Sequence, residues 1–326
     1  MFVLVTGGAG YVGSRVVAHL LDQGHRVRVF DNFLYGGEPV IALSAFSNVE
    51  RQVGDVRNDV ALRTAMGGVD AVIHLAGIVG EEACNVSPRF SWSVNHDAIP
   101  TLVHTVEDSG VSRLVLVSTC SNYGVAGTNL EVDEDAPLKP LSAYARAKVA
   151  AEQLALAAKR VPTVSVLRLG TVCGVSPRMR FDLLVNAIAR DAVLDREIEI
   201  YAPKAWRPFL HIDDAAEALR QVLTADASAV HRCVFNVVGE NHQKAGLLEI
   251  ARRLFPNLRA KVVDRDPDVR DYRVSGERFV KALGLRPSRT VADAFREVAD
   301  AVRNGCFRDP DWKGHSAVPL TRFPPT

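Results

Sequence analysis

The chain has 326 residues, 48% hydrophobic and 24% charged. These are ordinary values for a globular protein of one large domain or two interleaved ones, and they exclude a disordered chain, a collagen-like fibre and a small disulfide scaffold. Lys+Arg (39) and Asp+Glu (38) leave a net charge of +1, so no excess of cations is available to release counterions from a nucleic acid.

Residues 1–6 form an apolar run halted by Gly7 and Gly8 and predict a buried strand. Val16, Val17, Leu20 and Leu21 give residues 14–23 a helical spacing, with Gly24 as the stop. Residues 26–30 alternate basic and apolar side chains and predict a second strand, and a third precedes Gly54. Buried strands are predicted over 69–75 and 114–118, with a helix over 98–109 between them. Residues 143–160 give the longest helical pattern, closed by Pro162, and 163–169 another strand. A helix is predicted around 187–190, loop and strand over 206–212, a helix over 213–223 and a strand over 234–238. Late helices are predicted over 246–254 and 291–302. The tail from Phe307 holds Pro310, Pro319, Pro324 and Pro325, lacks periodicity and reads as an irregular surface segment. Strands alternating with helices predict an α/β fold, a doubly wound parallel sheet covered on both faces.

The five cysteines (Cys84, Cys120, Cys173, Cys233 and Cys306) are scattered without a C-x-x-C pair. They read as free thiols of a reducing compartment, and no metal site is expected. The N-terminus lacks a basic n-region, and no run reaches the roughly 20 apolar residues of a membrane span. A soluble, cytoplasmic protein is expected, with neither membrane nor nucleic acid as partner.

Gly7, Gly10 and Gly13 have a G-x-x-G-x-x-G spacing between a strand and a helix. Small residues there let the backbone of Gly10, Tyr11, Val12 and Gly13 approach a pyrophosphate, and a helix N-terminus offers unpaired N–H groups to it. Asp31 ends the second strand, 24 residues after Gly7. A carboxylate there accepts hydrogen bonds from adenosine ribose hydroxyls and repels the extra phosphate of NADP, and Asn32 and Phe33 bring no arginine to welcome it. NAD is therefore expected over NADP. Asp55, beside Val56, is placed to meet the adenine amino group.

Tyr144 and Lys148 stand four apart on a predicted helix, hence on one face. A neighbouring ammonium lowers the pKa of a phenol and fits it for acid–base work near neutral pH. Residues 118–124, Ser-Thr-Cys-Ser-Asn-Tyr-Gly, end the fifth strand, and open α/β sheets bind ligands beyond such carboxyl ends. Thr119 can there hydrogen-bond a substrate oxygen as its charge changes.

TGGAGYVGS at 6–14, Asp31, HLAG at 74–77, STCSNYG at 118–124, YARAK at 144–148 and RPFLHIDD at 207–214 follow the order seen in the extended short-chain dehydrogenases/reductases. More narrowly, the chain resembles the NAD-dependent nucleotide-sugar epimerase/dehydratase family over residues 1 to about 287. The resemblance implies a Rossmann-type NAD-binding domain (1–170 plus about 211–239). It also implies a smaller, mostly C-terminal domain (about 171–210 plus 240–326) for a nucleoside-diphosphate sugar. It implies Tyr144 as the base, Lys148 as the ligand of the nicotinamide ribose and tuner of Tyr144, and Thr119 as the partner of the substrate hydroxyl. Leu75, Ala76, Gly77 and Asn95 fall near the cofactor. Ser121, Asn122, Thr171, Arg180, Arg207 and Arg270 fall to the substrate, the last two as arginines for its pyrophosphate. A homodimer is implied, paired through a four-helix interface of the 98–109 helix and the helix bearing Tyr144, with Ala145, Ala147 and Ala151 allowing close packing.

The chain departs from the family where chemistries divide. Dehydratases of the 4,6 type carry Thr-Asp-Glu, and this chain has Thr119-Cys120-Ser121. Without those acids the remaining chemistry needs only Thr119, Tyr144, Lys148 and NAD, which is 4-epimerisation of a UDP-hexose or UDP-uronic acid, with Cys120 a further catalytic candidate. Dehydration, decarboxylation, 4-ketosugar reduction and a non-catalytic NAD-binding regulator are the alternatives. Thr171 replaces the family asparagine. Residues 177–182 carry Arg178 and Arg180; these can meet a sugar carboxylate or phosphates, although a surface loop is the simpler reading.

Overall fold

A computed structural model of the chain describes residues 1–126, 131–263, 270–307, 309–311 and 313–317. The strands are β1 (Phe2–Thr6), β2 (Arg26–Asp31), β3 (Val49–Val53), β4 (Ala71–His74), β5 (Arg113–Thr119), β6 (Glu131–Val132) and β7 (Thr163–Leu169). They continue with β8 (Thr171–Cys173), β9 (Glu197–Tyr201), β10 (Trp206–His211), β11 (Cys233–Val237), β12 (Glu240–Gln243), β13 (Arg259–Val263) and β14 (Arg273–Val274). Seven of them make one sheet in the order β11-β7-β5-β4-β1-β2-β3, and every pairing in it is parallel.

The helices are α1 (Tyr11–Asp22), α2 (Glu38–Ile41), α3 (Asp59–Met66), α4 (Glu81–Val86), α5 (Pro88–Trp92), α6 (Ala98–Asp108) and α7 (Ala143–Leu156). After them come α8 (Leu184–Val193), α9 (Ile212–Thr224), α10 (Ala227–Val230), α11 (Lys244–Leu254), α12 (Glu277–Leu283) and α13 (Val291–Arg303). None is long and apolar enough to cross a membrane.

Side chains of a strand alternate between faces, and here both faces are dry. Leu4, Val72, Leu114 and Leu116 join α3, α6 and α7 in one core. Val3, Val5, Ile73, Val115 and Val117 join α1 and α9 in the other. The chain order reverses direction between β1 and β4, and a crevice opens at such a switch point beyond the carboxyl ends of the strands.

Helix α7 ends at Leu156, four residues short of the expected stop, because the N–H groups of Lys159 and Arg160 turn to Glu107 Oε1 at 2.6 and 3.0 Å. Between α5 and α6 the helix widens into a π-turn over Ser93–Asp97, a feature without a periodic signature.

A third core collects Ile188, Ile200, Phe209, Leu247, Phe295 and Val298. Around it stand α8, α11 and α13, the β9–β13 pair and the β12-β10-β8 sheet. The expected surface tail is a correction. Phe181 N donates to His315 O at 2.8 Å, and Ala317 is only 6% exposed. Backbone groups and a few scattered side chains attach this segment, Phe307 and His315 packing edge-on against Phe181, so no periodicity announced it. Pro319, Pro324 and Pro325 lie outside the described residues.

Candidate active site

A cavity of about 480 Å³ lies along the switch point, with residues of the sheet on one side and residues of the third core's shell on the other. At one end is the β1–α1 turn. Gly7 has φ +70°, and a Cβ on it would stand 2.6 Å from Ala76 N; a Cβ on Gly13 would stand 2.0 Å from Gly7 O. Only glycine fits either place, and the turn therefore presents bare backbone to the cavity at the helix N-terminus. The side chain of Tyr11 leaves the turn, donating to Gly174 O at 2.7 Å and accepting from Asn186 at 3.1 Å.

Asp31 lines the cavity beside this turn. Its two oxygens accept from Ala9 N at 2.9 Å and Phe33 N at 2.8 Å. Burial pushes its pKa up and these N–H groups pull it back. Phe33 makes its bond from φ +54°, a conformation uncommon for a residue with a Cβ. Asn32, Asp55 and Val56 also line this end. Asp55 is held by Arg57 through side chain and backbone at 2.9–3.0 Å, which keeps it below the ordinary carboxylate range despite burial.

Leu75, Ala76 and Gly77 form the next part of the wall. Asn95 stands behind them in the π-turn, its amide accepting from Ile78 N at 2.9 Å and donating to Ile78 O at 2.8 Å. It clamps the segment after β4 and does not itself line the cavity.

The carboxyl end of β5 brings Thr119 to the wall, and α7 brings Tyr144 and Lys148. Thr119 Oγ1 accepts from Ser121 N at 3.1 Å and lies 2.8 Å from Ser121 Oγ. Burial drives the Tyr144 phenol well above its ordinary value, and Arg180 and Arg270 are the cations that pull it back. Lys148 donates to Val117 O at 3.0 Å, and burial pushes its own pKa down to about 8.

Cys120 belongs to the wall, but its thiol points to Arg168 O at 3.3 Å and burial raises its pKa far above the thiol range. A thiol in that state is a packing group. Asn122 is also displaced from its expected role. It is fully buried behind the wall, donating to Glu152 at 2.7 Å and Ser118 at 3.2 Å. Glu152 and Arg168 form a buried pair at 2.6 Å, and Arg168 donates to Tyr123 at 2.9 Å.

From the opposite side come Thr171, Arg178, Arg180, Asp182, Arg270 and Tyr272. The 177–182 stretch is thus not a surface loop. Arg180 is held by Asp182 through Nε at 3.0 Å. Arg270 lies 3.9 Å from Glu81. Arg207, expected at the pyrophosphate, stands behind the wall, donating to the carbonyls of Trp206 and Arg270 and lying 5.5 Å from the Tyr272 ring. It supports the segment that carries Arg270. Sequence reading weighed Arg178 together with Arg180 but missed Asp182, two residues after Arg180, and missed Tyr35, which sits four residues after Asp31. Ala317 lines the cavity too, with no signal in its surroundings.

These residues fit a dinucleotide. The glycine cradle meets a pyrophosphate, Asp31 a ribose, and the buried Nε of Arg178, which has no partner among the described residues, an anion. The family model described as "NAD dependent epimerase/dehydratase family" matches residues 3–238. A UDP-glucose 4-epimerase of Corynebacterium glutamicum is 29% identical, across 89% of this chain and 92% of that one. A dTDP-glucose 4,6-dehydratase of Streptomyces griseus is also 29% identical, across 89% and 90%. The solved structure of MoeE5 with UDP-glucuronic acid and NAD superposes with a TM-score of 0.82 at 25% identity, covering 94% of this chain and all of that one. The chain belongs to the NAD-dependent epimerase/dehydratase family, an extended short-chain dehydrogenase/reductase with NAD as its cofactor.

Proposed function

We propose that the chain is an epimerase of a nucleoside-diphosphate sugar that inverts C4 through a transient 4-keto sugar, with a UDP-hexose or UDP-uronic acid as substrate. The observation that carries this reading is the wall at the end of β5. Thr119, Tyr144 and Lys148 share it, while the two positions after Thr119 supply a thiol turned away and a hydroxyl, not carboxylates. Loss of water from a 4-keto sugar needs a further acid and base, whereas inversion at C4 needs the same groups twice. The C. glutamicum relative, matched over most of both chains, is named for that reaction.

The cofactor, when bound, supplies the oxidation of the C4 hydroxyl and its reversal. Residues of this chain supply the rest. The glycine cradle and Asp31 hold the adenosine half, and Lys148 the nicotinamide ribose. Tyr144 Oη takes the hydroxyl proton and later returns it, while Thr119 Oγ1, oriented by Ser121 N, hydrogen-bonds the same oxygen. Arg180 and Arg270 stabilise the phenolate that Tyr144 must become, and Arg270 grips the substrate's pyrophosphate.

Residues of about 171–210 and 240–326 form the sugar-nucleotide domain in this proposal, and the enzyme is a cytoplasmic homodimer paired through α6 and α7. Ala145, Ala147 and Ala151 are turned into the chain's own core, so the face available for a partner is instead that of Pro100, His104, Arg146 and Gln153, which are exposed.

Tyr144→Phe tests the assignment. General acid–base groups contribute on the order of 10²–10⁴ in rate, so turnover should fall at least about 100-fold with NAD binding kept. Wild-type turnover in the variant would remove Tyr144 from the chemistry.

A further inference from the structure

We propose that Arg178 is a ligand for the adenosine-side phosphate of the bound dinucleotide, presented from the shell of the third core and locked there by residues 313–317. The proposal rests on the assignment of NAD to this cavity.

The loop bearing Arg178 is fastened to the cradle. Ser176 Oγ donates to Tyr11 O at 2.6 Å and lies 3.0 Å from Ser14 Oγ, in the first turn of α1, and Gly174 O accepts from Tyr11. Arg178 follows two residues later in the cavity wall, only 6% exposed. Its guanidinium stacks on Tyr35, 4.3 Å from the ring centroid, and donates one hydrogen bond to Ser316 O at 2.5 Å. Its Nε is buried without a partner among the described residues. Arg180 has Asp182 in contact; Arg178 has no carboxylate within ion-pair distance among the described residues. Asp31 and Asp182 reach it only as fields, and Arg180 opposes its charge. A buried cation with an open donor is costly unless an anion meets it, and guanidinium forks match phosphate oxygens.

The position selects the phosphate. Tyr35 follows Asp31, so Arg178 lies over the adenosine half rather than the sugar. A phosphate on the ribose would crowd the Asp31 carboxylate, which leaves the pyrophosphate. The strap then fixes the arginine from outside. Tyr35 Oη donates to Ala317 O at 2.8 Å, and Ala317 N donates to Asp182 at 3.3 Å. The segment thus ties the end of β2 to the 177–182 loop directly across the cofactor end of the cavity.

The test measures binding, not turnover. Full-length wild type, Arg178→Gln, Arg178→Lys and Tyr35→Phe are freed of nucleotide and titrated calorimetrically with adenosine, ADP, NAD, NADP and UDP, and NAD release is timed by dilution. Arg178→Gln should weaken ADP and NAD about tenfold or more and leave adenosine within about twofold. Tyr35→Phe, which keeps the ring and loses the tie to Ala317, should speed NAD release. Equal losses for adenosine and ADP would reduce Arg178 to packing. A loss confined to NADP would move it to the ribose 2′ position, and one confined to UDP to the substrate; each overturns the proposal. If Arg178→Gln shows no cooperative melt, Arg178→Lys decides: ADP weakened about threefold with adenosine unchanged supports the fork, and unchanged ADP overturns it. Failure of the wild type to bind NAD would instead defeat the cofactor assignment.

Discussion

Lys148 brings an ammonium into a fully buried place, and its pKa of about 8 against an ordinary 10.5 records the cost of desolvation. The unfolded chain holds that proton up to about pH 10.5 and the folded chain only to about pH 8. Stability from this residue is therefore lowest below pH 8 and rises through that window. Lys148→Met should raise unfolding free energy at pH 7 by about 1–3 kcal/mol while abolishing NAD retention. The gain should shrink between pH 8 and 10.5, the window set by those two values. Denaturant titrations at pH 7 and pH 10 check it; a variant less stable at both would mean that the bond to Val117 O outweighs desolvation. Chemistry-bearing residues were legible in the sequence because their spacing is local: Gly7 to Gly13, Asp31 at a strand end, Tyr144 with Lys148. Orientation was not. Nothing in the spacing of Cys120 and Asn122 tells that one thiol turns to Arg168 O and that one amide turns to Glu152.

Helix α7 is the element on which the proposed chemistry hangs, and one turn beyond Lys148 it carries Glu152 into the core. There Glu152 meets Arg168 of β7 and accepts from Ser118 of β5 and from Asn122, and Arg168 continues to Tyr123 and on to Asn236 of β11. The network ties the helix to three strands. Glu152→Gln leaves the buried guanidinium uncompensated and should cost about 3–5 kcal/mol, seen as a lowered denaturation midpoint. A Glu152→Gln, Arg168→Met double variant should recover part of it. A neutral single variant would show that the pair is dispensable. The elements themselves divide in legibility. β7, buried along its whole length, stands where its apolar run places it. β8 and β12 are short, and their pairings with β10 reach across the chain, so no local period marks them.

At the scale of the whole molecule, the seven-stranded sheet supplies a cofactor end and the third core's shell supplies a lid of arginines, and the two meet through Tyr11 of α1 and Ile212 of α9, which join the third core, and through loops and the strap at 313–317. Part of that meeting was illegible in the sequence, because it is made by backbone carbonyls of Gly174, His315, Ser316 and Ala317. Light scattering should give about twice the chain mass of 35.4 kDa, and Arg146→Glu, an exposed charge reversed on the proposed face, should shift the mass toward one chain. A wild-type mass of one chain would contradict the pairing.

The most direct test of the central claim is to mix purified protein, without added NAD, with UDP-, GDP- and dTDP-sugars including uronic acids, and to read products by mass and proton NMR. The expected product is an isomer of unchanged mass with couplings that report inversion at C4, from a UDP-hexose or UDP-uronic acid. A product lighter by water or carbon dioxide would contradict it, and would mean that the wall of Thr119, Cys120 and Ser121 replaces the missing carboxylates.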